Sequence, residues 1–110
     1  YNATTATDGA FSILTRIGTY TLKADVEKYL PNQKNVSFSD SSTIDAGETT
    51  LRGGDIANED DAIDIGDFTL LGDNFRTNNT VADINADGVV NIQDLAILGG
   101  NYGLSGPQPW

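Results

Sequence analysis

The sequence predicts an α+β protein in which a small antiparallel β-sandwich-like unit is followed by an all-α pair of loop–helix motifs. Apolar and polar residues alternate through the first half, as is typical of strands with one buried face. A repeat with a period of 27 residues occupies the second half. The charge also changes abruptly, because residues 1–52 carry six acids and five bases, whereas residues 53–110 carry ten acids and one base. We therefore expect a β module at 1–52, a second module at 53–106 and a C-terminal tail at 107–110.

The first half is expected to form four or five short strands. In residues 18–25, apolar side chains at every second position alternate with threonine and lysine. Shorter alternating runs lie at 11–13 and 36–39, and a last strand is expected at 48–52. About 50 residues can bury only a thin core, so this unit is expected to lean on its neighbour or to be incomplete.

The composition excludes several classes of function. The chain of 110 residues has neither cysteine nor histidine, so disulfides, thiol nucleophiles and imidazole bases are absent. Its net charge of −10 argues against nucleic acid as a partner, because phosphate binding needs lysine and arginine. No apolar run is long enough to suggest membrane insertion. The chemistry that remains is that of oxygen ligands.

The repeat superimposes residues 58–76 on residues 85–103. Seven of these nineteen positions are identical, and most of the others are conservative pairs. Two copies of one supersecondary unit, packed against each other, are therefore expected.

The second copy begins with a loop that has the ligand spacing of an EF-hand. Oxygen-bearing side chains occupy positions 1, 3, 5, 9 and 12, and Gly88 stands at position 6, where such a loop turns sharply. Position 7 offers a backbone carbonyl. Calcium is the expected ion, because it accepts six to eight oxygen ligands in irregular geometry; the alternative is a solvated loop of Asx-turns. The predicted ligands are Asp83, Asn85, Asp87, Val89, Asn91 and Asp94.

The first copy has a less regular loop. Asp55 takes the first ligand position only if one residue is inserted near Ile56-Ala57, and Asp61 replaces the turn glycine. A second calcium ion is expected here, with a degenerate, hydrogen-bonded loop as the alternative. The predicted ligands are Asp55, Asn58, Asp60, Ala62, Asp64 and Asp67.

A short helix is expected after each loop, at 65–75 and 92–102. One face of each helix is apolar and should pack between the two copies. The opposite face lacks lysine and glutamate, so it is expected either to dock a partner or to be covered by the β unit. The predicted partner-binding residues are Ile65, Gly66, Leu70 and Asp73 in the first copy, and Ile92, Gln93, Ile97 and Gly100 in the second.

Two family resemblances accompany these observations. The runs Asp8-Gly-Ala-Phe-Ser-Ile, Gly18-Thr-Tyr-Thr-Leu-Lys-Ala and Tyr29-Leu-Pro resemble the carboxypeptidase regulatory-like (prealbumin-like) β-sandwich family, truncated at its N-terminal side. That resemblance implies a non-catalytic spacer module.

The paired acidic loops and their helices, residues 54–75 and 82–103, resemble the duplicated repeats of a type I dockerin module. This resemblance implies a non-catalytic module that binds a cohesin and attaches its parent protein to a scaffold, as in cellulosome-type assemblies. The first loop and the recognition positions depart from the family pattern, which leaves the identity of the cohesin open.

Other functions remain as alternatives. A calcium-rigidified spacer or adhesin tail would need the same loops but no cohesin. Paired carboxylates could serve a glycosidase, but these acids are spaced as ligands within short loops, so no enzyme is expected. A cytosolic calcium sensor would need complete helix–loop–helix pairs and a methionine-rich groove, and the chain has no methionine. Loops of this kind suit millimolar calcium, so a secreted or extracellular location is expected.

Overall fold

The computed structural model describes residues 1–110, which form an elongated molecule of 52 × 26 × 19 Å. It contains five strands and two helices joined by long loops. Their bounds, in chain order, are β1 Gly18–Ala24, β2 Tyr29–Leu30, β3 Asn32–Phe38, β4 Arg52–Gly53, α1 Ile65–Asp73, α2 Ile92–Asn101 and β5 Gln108–Pro109.

The larger sheet has three strands in the order β1-β3-β5. β1 and β3 run antiparallel, with Gly18 opposite Phe38 and Ala24 opposite Asn32. Alternate residues of each strand are half-buried, as the sequence pattern predicts for a sheet with one covered face. β5 pairs with β3 in parallel, so the C-terminal tail extends a sheet that begins near the N-terminus.

The smaller sheet joins the two halves of the chain a second time. β2 pairs with β4 in antiparallel register, Tyr29 opposite Gly53 and Leu30 opposite Arg52. The predicted boundary between Arg52 and Gly53 therefore falls inside a strand.

The predicted fold class is wrong. Residues 11–13 form no strand, and the predicted strand at 48–52 is reduced to β4, so no sandwich is built. The second half is not all-α, because it supplies β5 to one sheet and Gly53 to the other. The protein is a small, loop-rich structure in which two sheets and two short helices are interleaved. The single-sequence pattern could not reveal this, because both connections join strands that are distant in the chain.

Each helix begins with a capping box. Asp64 caps α1 and Asn91 caps α2, and in both cases the side-chain oxygen accepts a hydrogen bond from the backbone N–H two residues later. The carboxylate of the third residue of each helix, Asp67 or Asp94, accepts a hydrogen bond from the backbone N–H of the capping residue. Both helices therefore start where the sequence predicts, and they end after nine and ten residues.

The core lies between the two loop–helix units and reaches β2. Equivalent residues of the two copies contribute in pairs, for example Leu71 with Leu98 and Ile63 with Val90. Neither helix is long or apolar enough to span a bilayer. The fully buried apolar residues of this core are Leu30, Ile56, Ile63, Leu71, Ala82, Ile84, Val90 and Leu98.

Candidate metal loops and docking face

The loop before α2 brings three carboxylates together. Oxygen atoms of Asp83, Asp87 and Asp94 lie within 4.8 Å of one another. Asp83 and Asp94 are buried, whereas Asp87 is exposed, so one side of the cluster remains open to solvent. Such an arrangement of hard oxygen donors can hold a divalent cation.

Asp94 organises this loop. It is fully buried, and one of its oxygens accepts hydrogen bonds from the backbone N–H groups of Ile84 (2.8 Å) and Asn85 (3.2 Å). Its other oxygen accepts from the N–H of Asn91 at 2.9 Å. Three backbone donors thus converge on one carboxylate, and they close the loop onto the start of α2.

The first residue of the loop has a similar role. Asp83 accepts hydrogen bonds from the backbone N–H of Asp87 at 3.2 Å and of Gly88 at 2.8 Å. Gly88 has a φ of +94°, a conformation that glycine adopts without steric cost. The side chain of Asp87 bends toward the following backbone and accepts from the N–H of Val89 at 3.2 Å.

The loop before α1 repeats this pattern around Asp67. The carboxylate of Asp67 is fully buried and accepts from the N–H groups of Ile56 and Ala57 and, through its other oxygen, of Asp64, each at 2.8 Å. Asp55 accepts from the N–H of Asp61 at 2.9 Å, as Asp83 does from Gly88 in the second copy. The two loops therefore share one hydrogen-bonding scheme.

The extra residue of the first loop lies further along than the sequence suggests. Ile56 and Ala57 donate to Asp67 as Ile84 and Asn85 donate to Asp94, so the copies are still in register at this point. The register changes between 57 and 61. Within this stretch Asn58, Glu59 and Asp61 all have positive φ, so the insertion is accommodated by left-handed backbone at Asn58-Glu59.

Asp55 is the unusual group of the first loop. Its side chain is 1% exposed, and one of its carboxylate oxygens has no hydrogen-bond partner. Burial raises the pKa of Asp55 to about 6, and the nearby carboxylates of Asp67 and Asp60 add to this rise. A buried oxygen acceptor without a donor is the kind of group that a cation would satisfy.

The predicted ligands occupy these loops with differing geometry. Only the second loop places three carboxylates close together. In the first loop Asn58 and Asp60 are exposed, and Asp64 is engaged as the helix cap. Ala62 pairs through its backbone with Ser105 in the C-terminal segment.

The outer faces of the two helices differ in their surroundings. Ile65 and Ile92, at the equivalent first positions, are each 64% exposed. Leu70 and Ile97, further along, are half-buried and pack against the core. On α2 the backbone of Gly53 lies against Ile97, and no strand packs on α1 to the same extent.

Several residues that fix this arrangement carry no signal in the sequence. Lys28 lies in the first half, yet its ammonium group donates to the backbone carbonyls of Thr80 and Asp83, at 2.5 and 2.9 Å. The hydroxyl of Tyr29 reaches the carbonyl of Ile84 at 3.4 Å. The second loop is thus held in place by β2 and the residue before it.

Comparison with known proteins adds a second line of observation. No protein-family model matches the chain, and no curated protein matches it significantly. Solved structures do. The chain is similar to the type II cohesin–X-dockerin complex of Acetivibrio cellulolyticus carrying a mutation at the N-terminal interface, with 28% identity and a TM-score of 0.77. The match covers 94% of this chain and 74% of that one.

Two further structures belong to the same docking system. The C-terminal interface mutant of the same complex has 24% identity and a TM-score of 0.74 over the same shares of the two chains, which supports the fold. A type II cohesin–dockerin domain from Bacteroides cellolosolvens is 35% identical, but it covers 52% of this chain and 92% of that one with a TM-score of 0.45, too low to support an inference. Both of the high-scoring neighbours are cohesin–X-dockerin complexes, and the likeness to them shows the fold of this chain.

These findings correct the resemblances drawn from sequence. The assignment of 53–106 to a type I dockerin is wrong, since the neighbours belong to type II complexes and the match extends across both halves of the chain. The same continuous match overturns a separate, truncated carboxypeptidase regulatory-like module. The comparisons do not support the EF-hand-like description either, although a helix follows each loop as expected. Calcium binding receives no support from the comparisons and stays a proposal.

Proposed function

We propose that this chain is a non-catalytic, calcium-stabilised docking module that recruits a protein partner of the cohesin–dockerin kind outside the cell. The partner contacts the outer surface of the loop–helix region, and the ions hold the loops that orient the helices. The observation that carries the proposal is the pair of buried carboxylates, Asp67 and Asp94, each of which fastens an acidic loop to the start of an exposed helix.

The chemistry of the loops supports calcium as the ion. The second loop offers the carboxylates of Asp83, Asp87 and Asp94 within 4.8 Å. The first loop offers Asp55, whose buried oxygen has no partner among the protein groups. Residues 53–110 carry ten acids and one base, so divalent ions would also relieve the repulsion among these carboxylates.

Isothermal titration calorimetry with calcium chloride tests the metal. We expect binding in the second loop to be lost in Asp83→Asn. Binding in the first loop should be lost in Asp55→Asn, so the two variants assign the sites. Far-ultraviolet circular dichroism should show loss of helix on addition of EDTA, because ions that bind the folded state alone stabilise it by mass action. Absence of calcium uptake by the wild-type chain would remove the metal from the proposal.

Biolayer interferometry against type II cohesin and type II X-dockerin modules tests the partner. Both classes are needed, because each neighbouring complex contains both kinds of module. Calcium-dependent binding to one class, and not to the other, is the expected result. If neither class binds in calcium, the docking role fails and a calcium-rigidified spacer becomes the better description of the elongated molecule.

A further inference from the structure

The two copies of the loop–helix unit differ in one respect that bears on docking. The first copy has a shallow groove of about 500 Å³ between its loop and α1. We propose that this groove receives an apolar side chain from the partner, so that the partner docks on the first copy in a single orientation despite the internal repeat. This inference rests on the proposed docking function. The groove is lined by Ile56, Ala57, Asn58, Ile65, Gly66, Thr69, Leu70 and Asp73.

The groove is open because small residues line it. Gly66, on the first turn of α1, faces Ala57 across the groove: a Cβ added to Gly66 would lie 3.8 Å from the Cβ of that alanine, and 3.1 Å from the capping oxygen of Asp64. In the second copy the residues at these two positions are Gln93 and Asn85. Their side chains are joined by a hydrogen bond of 3.1 Å, which bridges the loop and α2 where the first copy is open.

One residue of the equivalent face of the second copy, Ile97, is also contacted by the β half, although Ile92 and Ala96 on that face remain exposed. Gly53 of β4 lies so close to α2 that an added Cβ would be 3.0 Å from Ile97 and 3.0 Å from Ile84. Asn101 reinforces this contact by donating its side-chain amide to the carbonyl of Gly53 at 2.9 Å. Asn74, the equivalent residue of the first copy, instead donates to Leu70 of its own helix. The β half thus packs on Ile97 in the second copy, and the first copy has no such contact at Leu70.

The surroundings of the groove define the partner's chemistry. Ile65 and Leu70 provide apolar walls, and Asp73 places a carboxylate at the end of the groove. Residues 53–110 contain one basic side chain, Arg76, against ten acids. Charge complementarity therefore favours a protein surface that presents an apolar side chain flanked by lysine or arginine.

Filling the groove is the test. Gly66→Gln gives the first copy the residue found at this position in the second, and Thr69→Gln places the same bulk one turn further along α1. Ala96→Gln is the matched control, because Ala96 is the exposed equivalent of Thr69 on α2. Each variant is titrated, in the full chain with calcium, against the type II module that binds the wild-type protein. Circular dichroism verifies that each variant is folded.

We expect at least a tenfold loss of affinity for both groove variants and less than a twofold change for Ala96→Gln. The association rate of the wild type should fall as sodium chloride is raised, since acidic and basic surfaces attract each other. Equal losses at Thr69→Gln and Ala96→Gln would show that both copies dock, and a loss confined to Ala96→Gln would place the partner on α2. Either result overturns the assignment while leaving the docking function intact. A wild-type chain that binds neither type II module overturns both.

Discussion

Replacing Asp94 by asparagine tests the idea that one buried carboxylate organises the second loop. The substitution keeps the shape of the side chain but turns one acceptor oxygen into a donor amide. If the remaining oxygen faces Ile84 and Asn85, the N–H of Asn91 loses its acceptor and meets another donor. The opposite orientation would leave two N–H groups without an acceptor. We therefore expect the amide oxygen to face Ile84 and Asn85.

The cost follows from the three hydrogen bonds. A hydrogen bond to a charged group contributes about 1.5–3 kcal/mol, and one between neutral groups about 0.5–1.5 kcal/mol. Losing one charged bond and converting two others to neutral bonds should therefore cost about 4–6 kcal/mol of the free energy of unfolding. For a chain of this size that corresponds to a fall in melting temperature of roughly 20 °C.

Asp87→Asn is the control, because it makes the same change of charge in the same loop. Asp87 is exposed, and its carboxylate accepts one backbone hydrogen bond, from Val89 at 3.2 Å. Its substitution should cost about 1 kcal/mol. Both variants would be unfolded by urea in about millimolar calcium, a concentration typical of extracellular sites. Unfolding would be followed by circular dichroism. Equal free energies of unfolding for the two variants would refute the organising role of Asp94.

Three further predictions concern other parts of the molecule. Gly53→Ala should lower the free energy of unfolding by about 1–3 kcal/mol, because the added methyl group crowds Ile97. Gly72→Ala, which has open space around it in α1, should raise the free energy of unfolding by about 0.5–1 kcal/mol in the same urea denaturation assay. Trp110→Ala should lower the melting temperature by several degrees in differential scanning fluorimetry, because the indole contacts the first half of the chain; an unchanged value would show that the tail contributes nothing. Without divalent ions, stability should fall as the pH rises from about 4 to 6, since in this window the folded state holds a proton on Asp55 that the unfolded state releases; urea denaturation of Asp55→Asn should show a weaker dependence.

The sequence predicted the local elements of the second half well. The repeat located both helix starts, because a capping residue followed three positions later by aspartate is a signal contained within four residues. The central part of the β half was also predicted, since residues 18–24 alternate strictly and pair as expected. Both successes rest on interactions between residues close in the chain or on simple periodicity.

The failures all involve contacts between distant segments. β5 consists of glutamine and proline, which carry no strand signal, and it exists because β3 offers a free edge. The covering of Ile97 by Gly53 depends on the packing of β4 across α2, which no spacing rule describes. The amphipathic pattern of the helices therefore could not tell which copy has its outer residues packed against the β half.

Leu70 and Ile97, two of the predicted partner-binding residues, are poor positions for substitutions that test docking alone. Both side chains pack against the core, and Ile97 is covered by a neighbouring strand as well. Aspartate at either position would place a charge at the edge of an apolar cluster. The exposed residues Thr69 and Gly66 are better probes of the surface.

The strand that closes the larger sheet is formed by the last residues of the chain, and its partner strand belongs to the first third. The two halves of the chain are therefore joined by backbone pairing in both sheets. A gene fragment ending at the charge boundary would separate β2 from Gly53 and β3 from β5. Recombination that preserved these pairings would have to carry both halves together.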